Sequence, residues 1–195
     1  ATASVEYTLV KRNAAADMFV FSAPANLVYD GTAKYATVEV SPEITGMGAV
    51  TVTYYKDGVA TDPINAGTYT VKVSTAESDK YYALTDVELG SFTIDAKDIS
   101  DGFIILGDAL TYNGKEQTQT VAEFVISADL EVTYTVSGNK ATNVGVYLLT
   151  VTGTGNFTGE AMLTFEIAPD TSKIDALTVD NVTSANKADV ESVKA

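Results

Sequence analysis

The reactive groups on offer are carboxylates and tyrosines, because the chain has 26 acidic residues and 11 tyrosines but no cysteine and no histidine. That composition removes the thiolate nucleophile, Cys-ligated zinc, the usual proton shuttle and the commonest metal ligand. Carboxylates alone can hydrolyse glycosides, given an acid and a base or nucleophile held several ångströms apart across a cleft. Asp57 and Asp62 lie beside Gly or Pro, and Asp79 and Asp86 flank a strand-like run. Neither pair has a spacing that demands a site. A calcium loop would alternate acids and close on Gly and Glu, and Asp170 to Asp175 comes nearest without that pattern. No catalytic residue, metal ligand or cofactor is expected. Lys72 is the lysine to consider for an isopeptide crosslink to Asn or Asp, but its parity opposes Val71 and Val73 and turns it to solvent.

Aromatic rings offer the other chemistry, stacking on sugar faces or anchoring a protein partner. Tyr54-Tyr55 and Tyr81-Tyr82 are adjacent pairs, and strand alternation sends one ring of each pair inward and the other outward. Tyr55 and Tyr82 are therefore the candidate ligand-binding residues, for a glycan or a protein. Neither is duplicated, since Thr135 follows Tyr134 and Thr158 follows Phe157.

The elements that carry these residues occur twice. Tyr29-Asp30-Gly31 returns as Tyr112-Asn113-Gly114, and Val52-Thr53-Tyr54 as Val132-Thr133-Tyr134. Asn65-Ala66-Gly67-Thr68-Tyr69 returns as Asn143-Val144-Gly145-Val146-Tyr147, and Phe92-Thr93-Ile94 as Phe165-Glu166-Ile167. The order is kept at a spacing of roughly 80 residues, the signature of tandem duplication. No acid recurs at matched positions, which argues against a duplicated carboxylate site. Asn replaces Asp30 in the second copy, so the turn survives without the charge.

Within each copy, apolar residues alternate with polar ones: Val50, Val52 and Tyr54 share a parity, as do Tyr69, Val71 and Val73, and Val132, Tyr134 and Val136. Thr, Val and Tyr fill these runs, and Gly, Asp, Asn and Pro separate them. The first copy is expected to hold strands at Met18 to Phe21, Leu27 to Tyr29, Ala36 to Val40, Val50 to Tyr55, Thr68 to Ser74, Tyr81 to Leu84 and Ser91 to Asp95. Lys56-Asp57-Gly58-Val59 signals a tight reversal, with Ser137-Gly138-Asn139-Lys140 at the matching place. The expected fold is all-β, two small tandem antiparallel β-sandwich (immunoglobulin-like) domains with a short helical C-terminal tail; a grasp-type sheet is the alternative. Tyr69 and Tyr147 fit the corner tyrosine of such sandwiches, whose hydroxyl reaches back to the backbone.

The expected divisions are 1–13, the final strand of a preceding repeat or a linker strand; 14–95 and 96–168, the two sandwiches; and 169–195, a connector and the start of a helix over Ser184 to Val193. Tyr7-Thr8-Leu9 stands to Lys11 much as Phe92-Thr93-Ile94 stands to Lys97. No Gly/Ser or Pro-rich linker separates the copies at Ala96 to Ile99, which predicts a short, stiff connection. Ala1-Thr2-Ala3-Ser4 shows neither an initiator Met nor a signal peptide, so a piece of a longer chain is expected.

Twelve basic residues leave a formal charge of −14, which repels phosphate backbones and anionic headgroups. Nucleic acid is not an expected partner. No run approaches the roughly 18 apolar residues of a membrane helix, so membrane insertion by this fragment is not expected either.

The Tyr-Asp-Gly turn, the Asn-Ala-Gly-Thr-Tyr strand opening and the closing Gly-Ser-Phe-Thr-Ile strand together resemble bacterial surface repeat domains of the YDG/MBG type, over Ala16 to Ala168. The resemblance implies an extracellular place, at a bacterial cell surface or secreted, and tandem arrays in large proteins. It implies non-catalytic stalk repeats of an adhesin, a monomer within a longer multidomain chain; the alternative is a glycan- or protein-binding module using exposed tyrosines. It brings no catalytic residues.

Overall fold

A computed structural model describes residues 10–126 and 130–172. The predicted opening strand at Tyr7 to Leu9 and the predicted C-terminal helix lie outside the described residues.

The described chain is all-β and divides into two compact units. Its strands are β1 (Arg12–Asn13), β2 (Phe19–Ser22), β3 (Thr37–Val40), β4 (Val50–Lys56), β5 (Val59–Ala60), β6 (Gly67–Thr75), β7 (Tyr81–Tyr82), β8 (Leu84–Ile94) and β9 (Lys97–Asp98). They continue as β10 (Phe103–Leu106), β11 (Leu110–Thr111), β12 (Gln117–Thr118), β13 (Val121–Val125), β14 (Tyr134–Ser137), β15 (Lys140–Ala141), β16 (Gly145–Gly153), β17 (Phe157–Thr158) and β18 (Glu160–Ala168). One 3-10 turn, Ala16–Met18, precedes β2.

The first unit takes in the described residues up to Asp101, with the segments Ile126–Tyr134 and Gly153–Gly159. Its main sheet is antiparallel in the order β5-β4-β6-β8, and β2 pairs with β3 in a second small sheet. Alternation places Tyr69, Val71 and Val73 of β6 on the buried face, and Tyr69 and Val71 cluster with Tyr54, Phe92 and Ile94. Phe21 from β2 and Val38 from β3 pack on that cluster, so the core lies between the two sheets. Burying such aromatic and branched side chains contributes about 1.5–3 kcal/mol each.

The second unit repeats the plan: a sheet in the order β11-β18-β16-β14, in which β16 and β18 are antiparallel, with a β10-β13 pair and a β12-β15 pair. Leu149, Val151, Phe165 and Ile167 fill its buried face.

Several sequence expectations are corrected. The predicted final strand at Ser91 begins much earlier, at Leu84, and tolerates an irregular register because Asp86 adopts a positive φ of 48°. Such a residue breaks the alternation by which strands are recognised. Leu27 to Tyr29 makes only an isolated bridge, Val28 to Asp95. Asp57 and Gly58 both have positive φ, as a two-residue hairpin turn requires, and β4 reverses into β5. The matching turn differs: β15 pairs with β12 instead, held by hydrogen bonds from Gln119 N to Asn139 O and from Asn139 Nδ2 to Gln119 O. Pairing is also not wholly antiparallel, since β1 with β7, β9 with β17 and β11 with β18 run parallel.

Candidate functional site

Tyr54 and Tyr81 are buried and their neighbours Tyr55 and Tyr82 are not, as alternation requires. Tyr55 lies in β4, half-buried, with the Lys72 ammonium 4.5 Å from its ring centre. This cation–π contact covers one face of the ring. Tyr82 is 48% exposed in the β1-β7 pair, with the Lys11 ammonium 5.9 Å from its ring centre. The two tyrosines belong to different sheets.

Lys72 faces outward on β6, as its parity predicts, paired across from Thr53. Among the described residues the buried lysine is Lys34, only 7% exposed, which pairs with Asp30 in the Tyr29-Asp30-Gly31 turn. Asp30 Oδ1 also accepts a hydrogen bond from Thr32 N at 2.9 Å. The hydrogen bond from Lys34, then those from Thr32, hold the Asp30 carboxyl well below the usual carboxylate range. Lys34 escaped the sequence reading because no apolar alternation marks its segment, which is a turn without regular structure.

Tyr35 is exposed, and its hydroxyl donates to Asp62 Oδ1 at 3.2 Å beside a shallow depression of about 320 Å³. Desolvation raises the Tyr35 phenol above its ordinary value, and the Asp62 charge adds to this. Asp62 stands there without a second carboxylate among the lining residues. Among the described residues, no group of three or more acids could hold a metal ion.

The glycine-tyrosine elements are structural in both units. Tyr69 Oη donates to Asn65 O at 2.9 Å, and Tyr147 Oη to Asn143 O at 2.8 Å. Each ring stacks on a phenylalanine of the neighbouring strand, Phe92 and Phe165 respectively. Gly31 and Gly114 sit at φ of 78° and 76°, the left-handed conformation the Tyr-Asx-Gly turn needs.

In the first unit, the segment Gly153–Gly159 is seated on these turn elements. Asn156 Oδ1 accepts from Ala66 N at 2.8 Å, its Nδ2 donates to Asn65 Oδ1 at 2.9 Å, and Phe157 meets Tyr29 edge to face at 5.5 Å. Asp95 N donates to Leu27 O, Lys97 N to Asn156 O and Ile99 N to Thr158 O, so Asp95 to Ile99 is tied down by backbone bonds.

The second unit also displays apolar side chains. Val146 (67% exposed), Leu148 (53%) and Met162 point outward from β16 and β18.

A profile of the MBG domain matches the chain twice, over residues 23–96 and 104–171. No curated protein and no solved structure matches it.

Proposed function

We propose that this chain, which belongs to the MBG domain family, forms non-catalytic stalk repeats of an adhesin at a bacterial cell surface or in a secreted protein. MBG domains are surface-repeat modules of bacterial proteins, which supports the extracellular place. The observation that carries the stalk role is what duplication has kept. Corner tyrosine, stacked phenylalanine and left-handed turn glycine recur at matched positions, whereas Asp30, Lys34, Tyr55 and Tyr82 do not. Selection acting on a spacer preserves backbone and core and leaves surface chemistry free to drift.

A second reading has one observation in its favour, the half-exposed ring of Tyr82. In that reading the repeats bind a host glycan or an extracellular protein through Tyr82 and Tyr55. An array of glycans and extracellular-matrix proteins separates the two. The stalk role predicts no saturable binding; binding that is saturable and lost in Tyr55→Ala, Tyr82→Ala would replace it with the adhesive role.

A further inference from the structure

We propose that Asn113-Gly114 is a site of spontaneous covalent modification, at which the chain converts its own Tyr-Asn-Gly turn into aspartyl and isoaspartyl forms. The inference goes beyond the stalk reading and does not depend on it.

Asparagine loses its side-chain amide when the next backbone nitrogen attacks the side-chain carbonyl carbon, and glycine hinders that attack least because it has no Cβ. Asn-Gly occurs once in the sequence, at Asn113. Asn113 to Glu116 is exposed throughout, so water reaches it. Gly114 has open space around it: the nearest atom to a Cβ built there is the Tyr112 hydroxyl, 4.0 Å away.

The turn also presents the amide for attack. Lys115 N donates to Asn113 Oδ1 at 2.9 Å. This bond closes a ring that contains both Asn113 Cγ and the Gly114 nitrogen, so the two reacting atoms are held in one small loop. It also aims a donor at the oxygen on which negative charge develops when Cγ is attacked. Among the described residues Asn113 Nδ2, the leaving nitrogen, has no hydrogen-bond partner.

In the step itself, Gly114 N gives its proton to hydroxide and bonds to Cγ. The Cγ–Nδ2 bond breaks, and Nδ2 leaves as ammonia with a proton from water. Water then opens the succinimide ring. Opening at Cγ yields aspartate; opening at the main-chain carbonyl yields isoaspartate, with one more carbon in the backbone.

The aspartyl product is the turn of the first copy, where Asp30 Oδ1 accepts the matching bond from Thr32 N. Lys34 neutralises that charge, whereas Gln117 stands at the lysine's place in the second copy and leaves the new carboxylate uncompensated. Isoaspartate lengthens a segment fixed at both ends, since Tyr112 N donates to Ala168 O and Gln117 pairs with Ala141.

Other positions are protected. Asp30 also precedes glycine, but Lys34 and Thr32 hold its carboxyl ionised, and an ionised carboxylate resists attack. Asn139 donates its amide to Gln119 O, Asn156 is bound to Ala66 and Asn65, and Lys140 and Phe157 follow them in place of glycine.

The test is to incubate the intact chain in mildly alkaline buffer, digest it with trypsin and weigh the peptides. The peptide Asp98 to Lys115 contains Asn113 as its only asparagine. It should gain about 1 Da, at least about tenfold faster than the peptides carrying Asn139 and Asn156, and part of the product should accept a methyl group from an isoaspartyl methyltransferase. Gly114→Ala should slow the gain; because it also strains the turn, Asn113→Gln is the second variant and should abolish both the gain and the methyl label in that peptide. Incubation in urea, which removes the turn, should not speed the reaction. No gain at Asn113, a gain no faster than at Asn139 and Asn156, a label that survives Asn113→Gln, or a faster reaction in urea overturns the inference.

Discussion

In the first copy, Asp30 and Lys34 form an ion pair inside the Tyr-Asp-Gly turn; at the same two places the second copy has Asn113 and Gln117. Both turns nevertheless make the same bond two residues on, from Thr32 N to Asp30 Oδ1 and from Lys115 N to Asn113 Oδ1, each at 2.9 Å. Gln117 Nε2 then donates to Thr111 O. Charge has been removed in pairs and the backbone is unchanged. The comparison teaches that a side-chain oxygen at the turn position is required, because it satisfies a backbone donor, whereas its charge is not. A lone substitution would leave Lys34 buried without its counter-ion, which explains why both residues differ together.

The largest effect is expected at the corner tyrosines, where the two copies share the hydroxyl bond and the stacked phenylalanine but differ in burial. Tyr69 is fully buried and Tyr147 half-buried. Tyr69→Ala should cost about 3–5 kcal/mol, the range for emptying a large aromatic site, and Tyr147→Ala about 2 kcal/mol. Urea unfolding of each variant measures the difference, and equal losses would break the comparison. Tyr69→Phe isolates the hydroxyl bond to Asn65 O and should cost about 1 kcal/mol.

Next come the turn glycines. Gly31→Ala and Gly114→Ala each force a side chain into left-handed backbone, at about 1–2 kcal/mol. A Cβ at Gly31 would also stand 3.0 Å from the Leu130 side chain, whereas at Gly114 the nearest atom is 4.0 Å away. Gly31→Ala should therefore be the more destabilising of the two, by the extra that Leu130 needs to shift. Reversal of that order would show that the Gly31 turn has room to move.

The ion pair predicts a pH dependence that the second copy's turn lacks. Asp30 has a folded value held below its unfolded one, so its contribution is present above the ordinary carboxylate range, about pH 4, and is lost as pH falls through the depressed value. Asp98 behaves in the same direction, because its carboxylate accepts from Ser100. Unfolding followed between pH 5 and 2 should show less acid sensitivity in Asp30→Asn, Lys34→Gln than in the parent chain. Asp30→Asn alone should be less stable than the double variant at neutral pH.

Duplication made much of this legible in the sequence. The Tyr-Asx-Gly turns and the glycine-tyrosine strand openings were readable because the same residues return in the same order, and a left-handed glycine or corner tyrosine is dictated by local geometry. The buried face of β6 was equally plain, since Tyr69, Val71 and Val73 alternate without interruption. What stayed hidden depends on partners distant in sequence. The early start of β8 is masked by the positive φ of Asp86, and the pairing of β15 with β12 rests on bonds between Gln119 and Asn139 that no periodicity encodes. The seating of Asn156 on Ala66 joins residues 90 positions apart. Tyr55 was readable as outward-facing, but the Lys72 cover over its ring follows from cross-strand neighbours that come into register only when β4 pairs with β6.

The smallest expected effect lies on the outer faces of β6 and β16. Thr68 and Thr70 face solvent in the first copy, where the second has Val146 and Leu148. Exchanging Val146→Thr and Leu148→Thr makes the second face resemble the first. Neither side chain leaves the core, and threonine suits an exposed strand nearly as well as valine, so stability should change by no more than about 0.5 kcal/mol. Unchanged urea midpoints with improved solubility would show that this apolar strip is dispensable to the repeat's own fold. A loss well above that figure would mean the outer face of the second copy stabilises its sheet through cross-strand contacts the first copy lacks, and the two copies would then differ in how they are held together as well as in what they display.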